Sequence, residues 1–234
     1  MQRFLDVSTS WATSIAQLGR GFRIGTPGPR PQQRLILYEF EGCPFCRRVR
    51  EAISTLDLEV EVRPCPKGGT RFRPRVVTRG GKAQFPYLVD PNTGTEMYES
   101  AHIVAHLHKH YGTGPVPLSS AGPWVLPSLI LAGVPRLRRG TWMVPSRAPE
   151  APLELWGMEA SPYTRIVREA LCVLELPYIL RTTPVGSKRW KDVKKRGGKG
   201  MVPFLVDPNT GTEMYESADI HDYLMRTYGT LAAP

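Results

Sequence analysis

The sequence predicts an α/β protein of two tandem modules, each a mixed four-stranded sheet flanked by helices. Three observations carry this. The run Asp90-Pro91-Asn92-Thr93-Gly94-Thr95-Glu96-Met97-Tyr98-Glu99-Ser100 recurs without change from Asp207 to Ser217, as expected of one supersecondary unit written twice. Upstream, Cys43-Pro44-Phe45-Cys46-Arg47-Arg48-Val49-Arg50-Glu51-Ala52 matches Ser161-Pro162-Tyr163-Thr164-Arg165-Ile166-Val167-Arg168-Glu169-Ala170. In both copies, apolar runs of strand length alternate with longer segments whose apolar residues recur at helical spacing. The modules then cover residues 35–112 and 153–229.

Each element follows in order. Leu35–Phe40 and Leu153–Met158 are apolar runs of strand length. Pro44–Leu56 and Pro162–Leu174 carry Val49, Ile53, Leu56 and Val167, Leu171, Leu174 on one helical face. A second strand is expected at about 59–63 and 177–182, then a basic helix at about 70–79 and 187–196. Pro86–Val89 reads as a buried strand, Asp90–Gly94 as a turn and Thr95–Tyr98 as a last strand. The helix Glu99–Tyr111 stops at Gly112, where glycine ends helices readily. The order β-α-β-α-β-β-α gives a mixed sheet covered by helices.

The remaining segments carry less signal. Residues 1–34 are rich in Ser, Thr and Arg, with Asp6 the sole acidic residue. That composition fits a flexible N-terminal arm or the remnant of a chloroplast or mitochondrial transit peptide. Residues 113–152 form a Pro-rich linker with Trp124, Leu126, Leu129, Ile130, Leu131 and Leu137 beside Arg136, Arg138 and Arg139. So many large apolar side chains do not suit a flexible linker. They suit a short helix or strap packed on the modules, or a membrane-surface or protein-complex contact through residues 123–139 with a basic rim. Residues 230–234 are a tail. No apolar run reaches the roughly 20 residues that span a bilayer.

Four cysteines, two of them in one C-x-x-C, do not make a secreted disulfide framework and point to a reducing compartment. The net charge of +10 favours anionic partners such as glutathione, acidic proteins, RNA or lipid headgroups, and selects none of them. The chemistry is concentrated at Cys43-Pro44-Phe45-Cys46, between a strand and a helix. Residues three apart on a helix share a face, so the two sulfurs come within disulfide reach. A thiol at a helix N-terminus feels the positive end of the dipole and becomes more acidic. Pro44 suits the first helical position, and Arg47 and Arg48 add positive charge. Cys43 is therefore the candidate nucleophile and Cys46 the candidate resolving thiol. Cys65 and Cys172 read as small apolar residues. His102 and His106 share a helical face, but their distance from the cysteines is unlike a zinc finger, and no metal is expected.

Together, the strand, the Cys-Pro-Phe-Cys turn, the helix, Pro86 after an extended segment and Glu99-Ser100 resemble the thioredoxin-like N-terminal domain of glutathione transferases and the glutaredoxins. The tandem arrangement resembles that of plant and algal chloroplast proteins carrying two such domains. The first module is also similar to the glutaredoxin-like domain of membrane-associated prostaglandin E synthase type 2. The resemblance leaves out the arm and the linker. It implies a thioredoxin fold, glutathione as cosubstrate, protein disulfides or mixed disulfides as partners, and a chloroplast location (stroma or thylakoid-associated), with mitochondrion or cytosol as the alternatives.

The resemblance also implies roles by position. Pro86 and Pro203 would be cis-prolines presenting the backbone of Phe85 and Val202 to the cysteinyl part of glutathione. Glu99 with Ser100, and Glu216 with Ser217, would hold its γ-glutamyl end, since a carboxylate sits well on the amides of a helix N-terminus. Lys67 and Lys188 are candidates for its glycyl carboxylate. Ser161-Pro162-Tyr163 is similar to the serine-type transferases, whose hydroxyl holds the glutathione thiolate. Thr164 in place of a second cysteine excludes dithiol exchange in the second module. A full glutathione transferase has a large helical domain after the thioredoxin-like one. Neither module is followed by one, so the expectation is a glutathione-linked thiol–disulfide oxidoreductase with a second module that binds glutathione or scaffolds. A non-catalytic scaffold and a transferase acting through Ser161 are the alternatives. The basic stretches around Arg71–Lys82 and Lys188–Lys199 could bind RNA, but solvated helix faces look the same, and no nucleic-acid partner is expected.

Overall fold

A computed structural model describes residues 2–16, 19–136 and 139–230. The first module runs β1 (Leu35–Glu39), α2 (Pro44–Thr55), β2 (Glu59–Pro64), α3 (Arg73–Gly80), β3 (Tyr87–Asp90), β4 (Thr95–Met97) and α4 (Ser100–Tyr111). The second repeats it as β5 (Leu153–Gly157), α7 (Pro162–Val173), β6 (Tyr178–Thr182), α8 (Arg189–Gly197), β7 (Phe204–Asp207), β8 (Thr212–Met214) and α9 (Ser217–Tyr228). Before the first module stands α1 (Gln2–Ala16), and between the two lie α5 (Leu118–Ala121) and α6 (Val125–Gly133) with a 3-10 turn at Val134–Arg136. Helix α3 begins later than the sequence pattern suggests. Pro74 sits in its first turn, and the Thr70 and Arg71 amides are spent on the Glu175 carboxylate, each at 3.1 Å.

The two four-stranded sheets are one eight-stranded sheet in the order β4-β3-β1-β2-β6-β5-β7-β8. Within each module the first two strands are parallel and the last two antiparallel. The join is antiparallel, with Val60 opposite Leu180, Glu61 opposite Ile179 and Val62 opposite Tyr178. Left alone, β2 and β6 would each be a bare sheet edge, a liability for aggregation. Pairing removes both edges and relates the modules by a pseudo-twofold through Glu61 and Ile179, which are equivalent residues. On one face a single core runs through both modules, from Leu35, Val49 and Ile103 to Leu155, Val167 and Ile220. On the other face, α3 covers Tyr38, Tyr87 and Val89, and α8 covers Trp156, Phe204 and Val206.

Residues 2–16 are helical, in contrast to the flexible arm expected over 1–34. Ser10 and Thr13 are fully buried, and the Arg165 guanidinium donates to the Ser10 carbonyl (2.7 Å) and the Ser14 hydroxyl (2.9 Å). The duplication also extends into the arm and linker, which sequence comparison leaves out. Arg23 bridges Val185 while Trp142 bridges Lys67, and Pro27 bridges Gly112 while Ser146 bridges Gly229. Helix α1 packs on α7, and α6 packs on α2 and α1. Each lead-in helix thus packs on the module that does not follow it, and each strap then returns to the end of the module that does. Gly21 and Gly140, both at positive φ, let these straps pass close to Glu159 and Glu41. Leu137 and Arg138 of the linker lie outside the described residues, as do residues 231–234 of the tail.

The junction of α2 and α7 is charged and closed to water. Arg50 bonds Glu39, Glu41 (3.2 Å) and Glu159 (2.9 Å), and Arg168 bonds Glu41 (3.0 Å) and Glu159 (2.9 Å). All five are at most 3 % exposed. Burial favours the neutral form of each carboxyl. At Glu41 the Arg168 and Arg50 charges win and hold it down to about 2, whereas at Glu39 burial prevails over Arg50 and pushes it up to about 7.

Candidate functional site

The site of the first module forms where β1 and β2 end. Cys43 has extended backbone (φ −89°, ψ 123°) and caps α2, its Sγ accepting the Cys46 amide at 3.4 Å. Pro44 occupies the first turn, where it forgoes no hydrogen bond. Cys43 is 5 % exposed and Cys46 fully buried, both free thiols, with Phe45 exposed beside them. Their environments differ. Donation from Cys46 and from the first-turn amides lowers the Cys43 thiol below its ordinary value, against the cost of its burial. Burial, and then donation to Cys43, holds Cys46 well above its own. An acidic thiol over a buried neutral one is the asymmetry that thiol–disulfide exchange uses.

The peptide bonds before Pro86 and Pro203 are cis. Phe85 joins Cys43 and Cys46 in one buried cluster, its ring edge-on to Phe40 at 6.2 Å. Glu99 and Glu216 take the same unusual backbone, φ 67°, as the residue before α4 and α9, and both are exposed while Ser100 and Ser217 are buried. In the first module Gln84, just ahead of the cis bond, donates to the Glu99 carboxylate at 2.5 Å and ties the two loops together. Its counterpart Met201 makes no such tie. In the second module Ser161 caps α7 as Cys43 caps α2, accepting the Thr164 amide at 3.1 Å. Val202 precedes the cis bond and is half-buried.

The two lysines fare differently from these residues. The Lys67 ammonium lies over the Trp142 ring at 5.3 Å, its backbone bridged to the strap from the other half. Lys188 is exposed at the start of α8. A better-placed cation is Arg73, which pattern reading noted only as part of a basic stretch. Its guanidinium stacks over Phe85 at 4.7 Å and Phe40 at 5.9 Å, and its Nε donates to the Cys65 and Pro66 carbonyls at 3.1 and 2.6 Å. No bond from its terminal amino groups is found among the described residues, so they are held and available to an anion. Nothing in the sequence signals this, because Arg73 at the start of α3 and Phe85 in the loop before β3 meet only in the tertiary fold.

A cavity of about 640 Å³ lies between α7, α9 and the strap before the second module, lined by Trp142, Ile166 and Ser217, and one of about 490 Å³ lies beside the start of α2, lined by Gly42, Pro44 and Ile130. Neither is lined by the two thiols. Among the described residues no cluster of three or more His, Cys, Asp or Glu suits a metal ion, and no helix is long and apolar enough to cross a membrane.

The model of the glutathione S-transferase N-terminal domain matches residues 37–116 and again 155–231. Among solved structures, a glutathione transferase of Bombyx mori, BmGSTD1, matches with 24 % sequence identity over 37 % of this chain and 39 % of that one, at a TM-score of 0.33. No curated protein matches. Two matched segments that together cover most of the chain place it in a family: it belongs to the glutathione S-transferase N-terminal domain family and carries that domain twice.

Proposed function

We propose that the protein is a glutathione-linked thiol–disulfide oxidoreductase whose first module does the chemistry. The observation that carries this is the unequal pair at the start of α2, where hydrogen bonds from Cys46 and the first-turn amides lower the Cys43 thiol while burial raises that of Cys46. The Cys43 thiolate attacks a disulfide sulfur of a glutathione mixed disulfide, one thiol leaves, and Cys46 or free glutathione releases the other. The residues suit glutathione: the backbone of Phe85 for its cysteinyl part, Glu99 with the N-terminus of α4 for its γ-glutamyl end, and Arg73 for its glycyl carboxylate. The second module keeps the cis bond, the Glu216 backbone and Ser217 but has hydroxyls for thiols, which supports glutathione binding or scaffolding there.

Reduction of a small mixed disulfide by glutathione tests the proposal. Activity is expected to vanish in Cys43→Ser and to survive in part in Cys46→Ser. Absence of activity in the wild type, or indifference to Cys43→Ser, refutes it in favour of a non-catalytic scaffold. Ser161 at its helix cap supports a narrower second reading, conjugation to an electrophile, which Ser161→Ala must abolish. Exposed Trp124, Ile130, Leu131 and Val134 in residues 123–139 support a membrane-surface contact, which flotation with liposomes checks. A chloroplast location rests on the resemblance to tandem chloroplast proteins, and a fluorescent fusion tests it.

A further inference from the structure

Helices α3 and α8 lie on the same face of the eight-stranded sheet, one over β1 and β3 and the other over β5 and β7, anchored by the buried Val76 and Val193. That face carries the charge of the chain. Residues 71–82 hold five basic side chains and no acid, and residues 188–199 hold seven and one acid. Their joint excess is larger than the net charge of +10 of the whole chain, so the rest of the protein is close to balanced. As sequence, the two stretches look like solvated helix faces; the fold makes them one surface.

The two copies are not equal there. Arg79 and Arg196 are equivalent, and each pairs with the equivalent carboxylate, Glu96 and Glu213. At three outward positions, however, α3 has Pro74, Val77 and Thr78 where α8 has Lys191, Lys194 and Lys195. Lys188 and Lys199 extend the row, and all five lysines are exposed, with no ion pair found for them among the described residues. The arginines of α8 are taken, Arg189 by Asp57 at 2.7 Å and Arg196 by Glu154 at 3.2 Å besides Glu213. The helix dipole accounts for cations in the last turn, Lys194 and Lys195, but disfavours Lys188 and Lys191 at the first. Two of the five thus stand where helix formation alone resists them.

The kind of anion follows from what the face lacks. The exposed aromatic residues Trp11, Phe22, Phe45, Trp124, Trp142 and Tyr163 all lie outside 71–82 and 188–199, so no ring is offered for stacking the bases of a single strand. Protein interfaces are built on aromatic and Arg anchors and are poor in Lys. The apolar residues suited to a lipid surface, Ile130, Leu131 and Val134, belong to α6 and the turn after it, and α6 packs on α2 in the opposite layer. Point charges of one sign without apolar anchors suit the phosphates of a duplex, held by charge with no readout of the bases. We propose that this face, and α8 above all, binds the phosphate backbone of duplex nucleic acid without sequence preference. Such binding is independent of the dithiol reaction and gives the second module a role that needs no thiol.

Fluorescence anisotropy of the full chain with short DNA duplexes of mixed sequence tests this, with duplex RNA as a second arm. If each of the five lysines meets a phosphate, affinity for DNA is expected to fall about 500-fold between about 50 and 200 mM salt, and only about tenfold in the triple variant Lys191→Gln, Lys194→Gln, Lys195→Gln. The variant should also bind more weakly at the lower salt. Replacing Lys109 and Arg226, on α4 and α9 in the other layer, by Gln must leave binding within about twofold. Binding of either duplex with that loss supports the proposal. No binding at about 50 mM salt, or binding that the triple variant keeps, overturns it. Tighter binding of polyglutamate, or of vesicles of anionic lipid, through the same lysines also overturns it, in favour of an acidic protein or a membrane. If the triple variant does not fold, acetylation of the wild type decides. The duplex must then protect Lys191, Lys194 and Lys195 and leave Lys109 open, and equal labelling with and without duplex overturns the proposal.

Discussion

Replacing Arg168 by Met tests whether the charged junction holds the two modules together. The guanidinium is 1 % exposed and donates to Glu41 at 3.0 and 3.2 Å and to the Met158 carbonyl at 3.4 Å, besides its ion pair with Glu159 at 2.9 Å. Methionine fills much of the space but takes one guanidinium from two buried carboxylates, leaving Glu41 on Arg50 and Glu159 on Arg50 and, at 4.0 Å, Arg47. Breaking a buried pair from one side costs about 3–5 kcal/mol. A second route gives a similar size. Glu41 is buried, which alone would raise it, yet the arginines hold it at about 2 instead of 4.5, worth about 3 kcal/mol at neutral pH at about 1.4 kcal/mol per unit. The lowered carboxyl stabilises the fold fully above pH 4.5 and loses that contribution as pH falls toward 2. The gap between wild type and variant should therefore be widest at neutral pH and close in acid. Urea unfolding at pH 7 is the assay, with a fall in melting temperature of about 10 °C as its thermal counterpart. Adding Glu41→Gln to the variant should recover part of the loss. A loss below about 1 kcal/mol, or one unchanged between pH 7 and pH 3, would refute a water-free junction.

Three further outcomes follow from the same geometry. All five tryptophans lie outside residues 35–112, yet their fluorescence and the far-ultraviolet circular dichroism of the whole chain should report one unfolding midpoint, because the core and the β2–β6 pairing are shared. Alkylation by iodoacetamide at pH 7, read by peptide mass, should mark Cys43 first, since Cys46, Cys65 and Cys172 are buried and held above the ordinary thiol range. Arg73→Gln should raise the KM for glutathione disulfide about tenfold while leaving that for cystamine, which has no carboxylate, within about twofold; an equal rise for both would show that Arg73 only packs.

The elements were legible in the sequence because each depends on near neighbours. Period-two and helical spacing, the turn chemistry of Asp90–Gly94 and the proline after Cys43 act within a few residues, and the exact repeat doubled the signal. The placement of Cys43 and Cys46 at the start of α2 was legible for the same reason. The stacking of Arg73 over Phe85 was not legible, because those residues are brought together only by the tertiary fold. Lys67 was the natural candidate by position, but Trp142, from the strap of the other half, takes up its ammonium.

By itself, then, the sequence determined that there are two copies of one thioredoxin-like unit and that the first carries the C-x-x-C pair. Only the tertiary structure decided that the copies are one body. Two bare strand edges are satisfied by each other, each lead-in helix covers the opposite module, and Arg50 and Arg168 share their carboxylates across the seam. The seam joins residues far apart in the chain, and buried charge is tolerable there because every carboxylate meets a guanidinium from one half or the other.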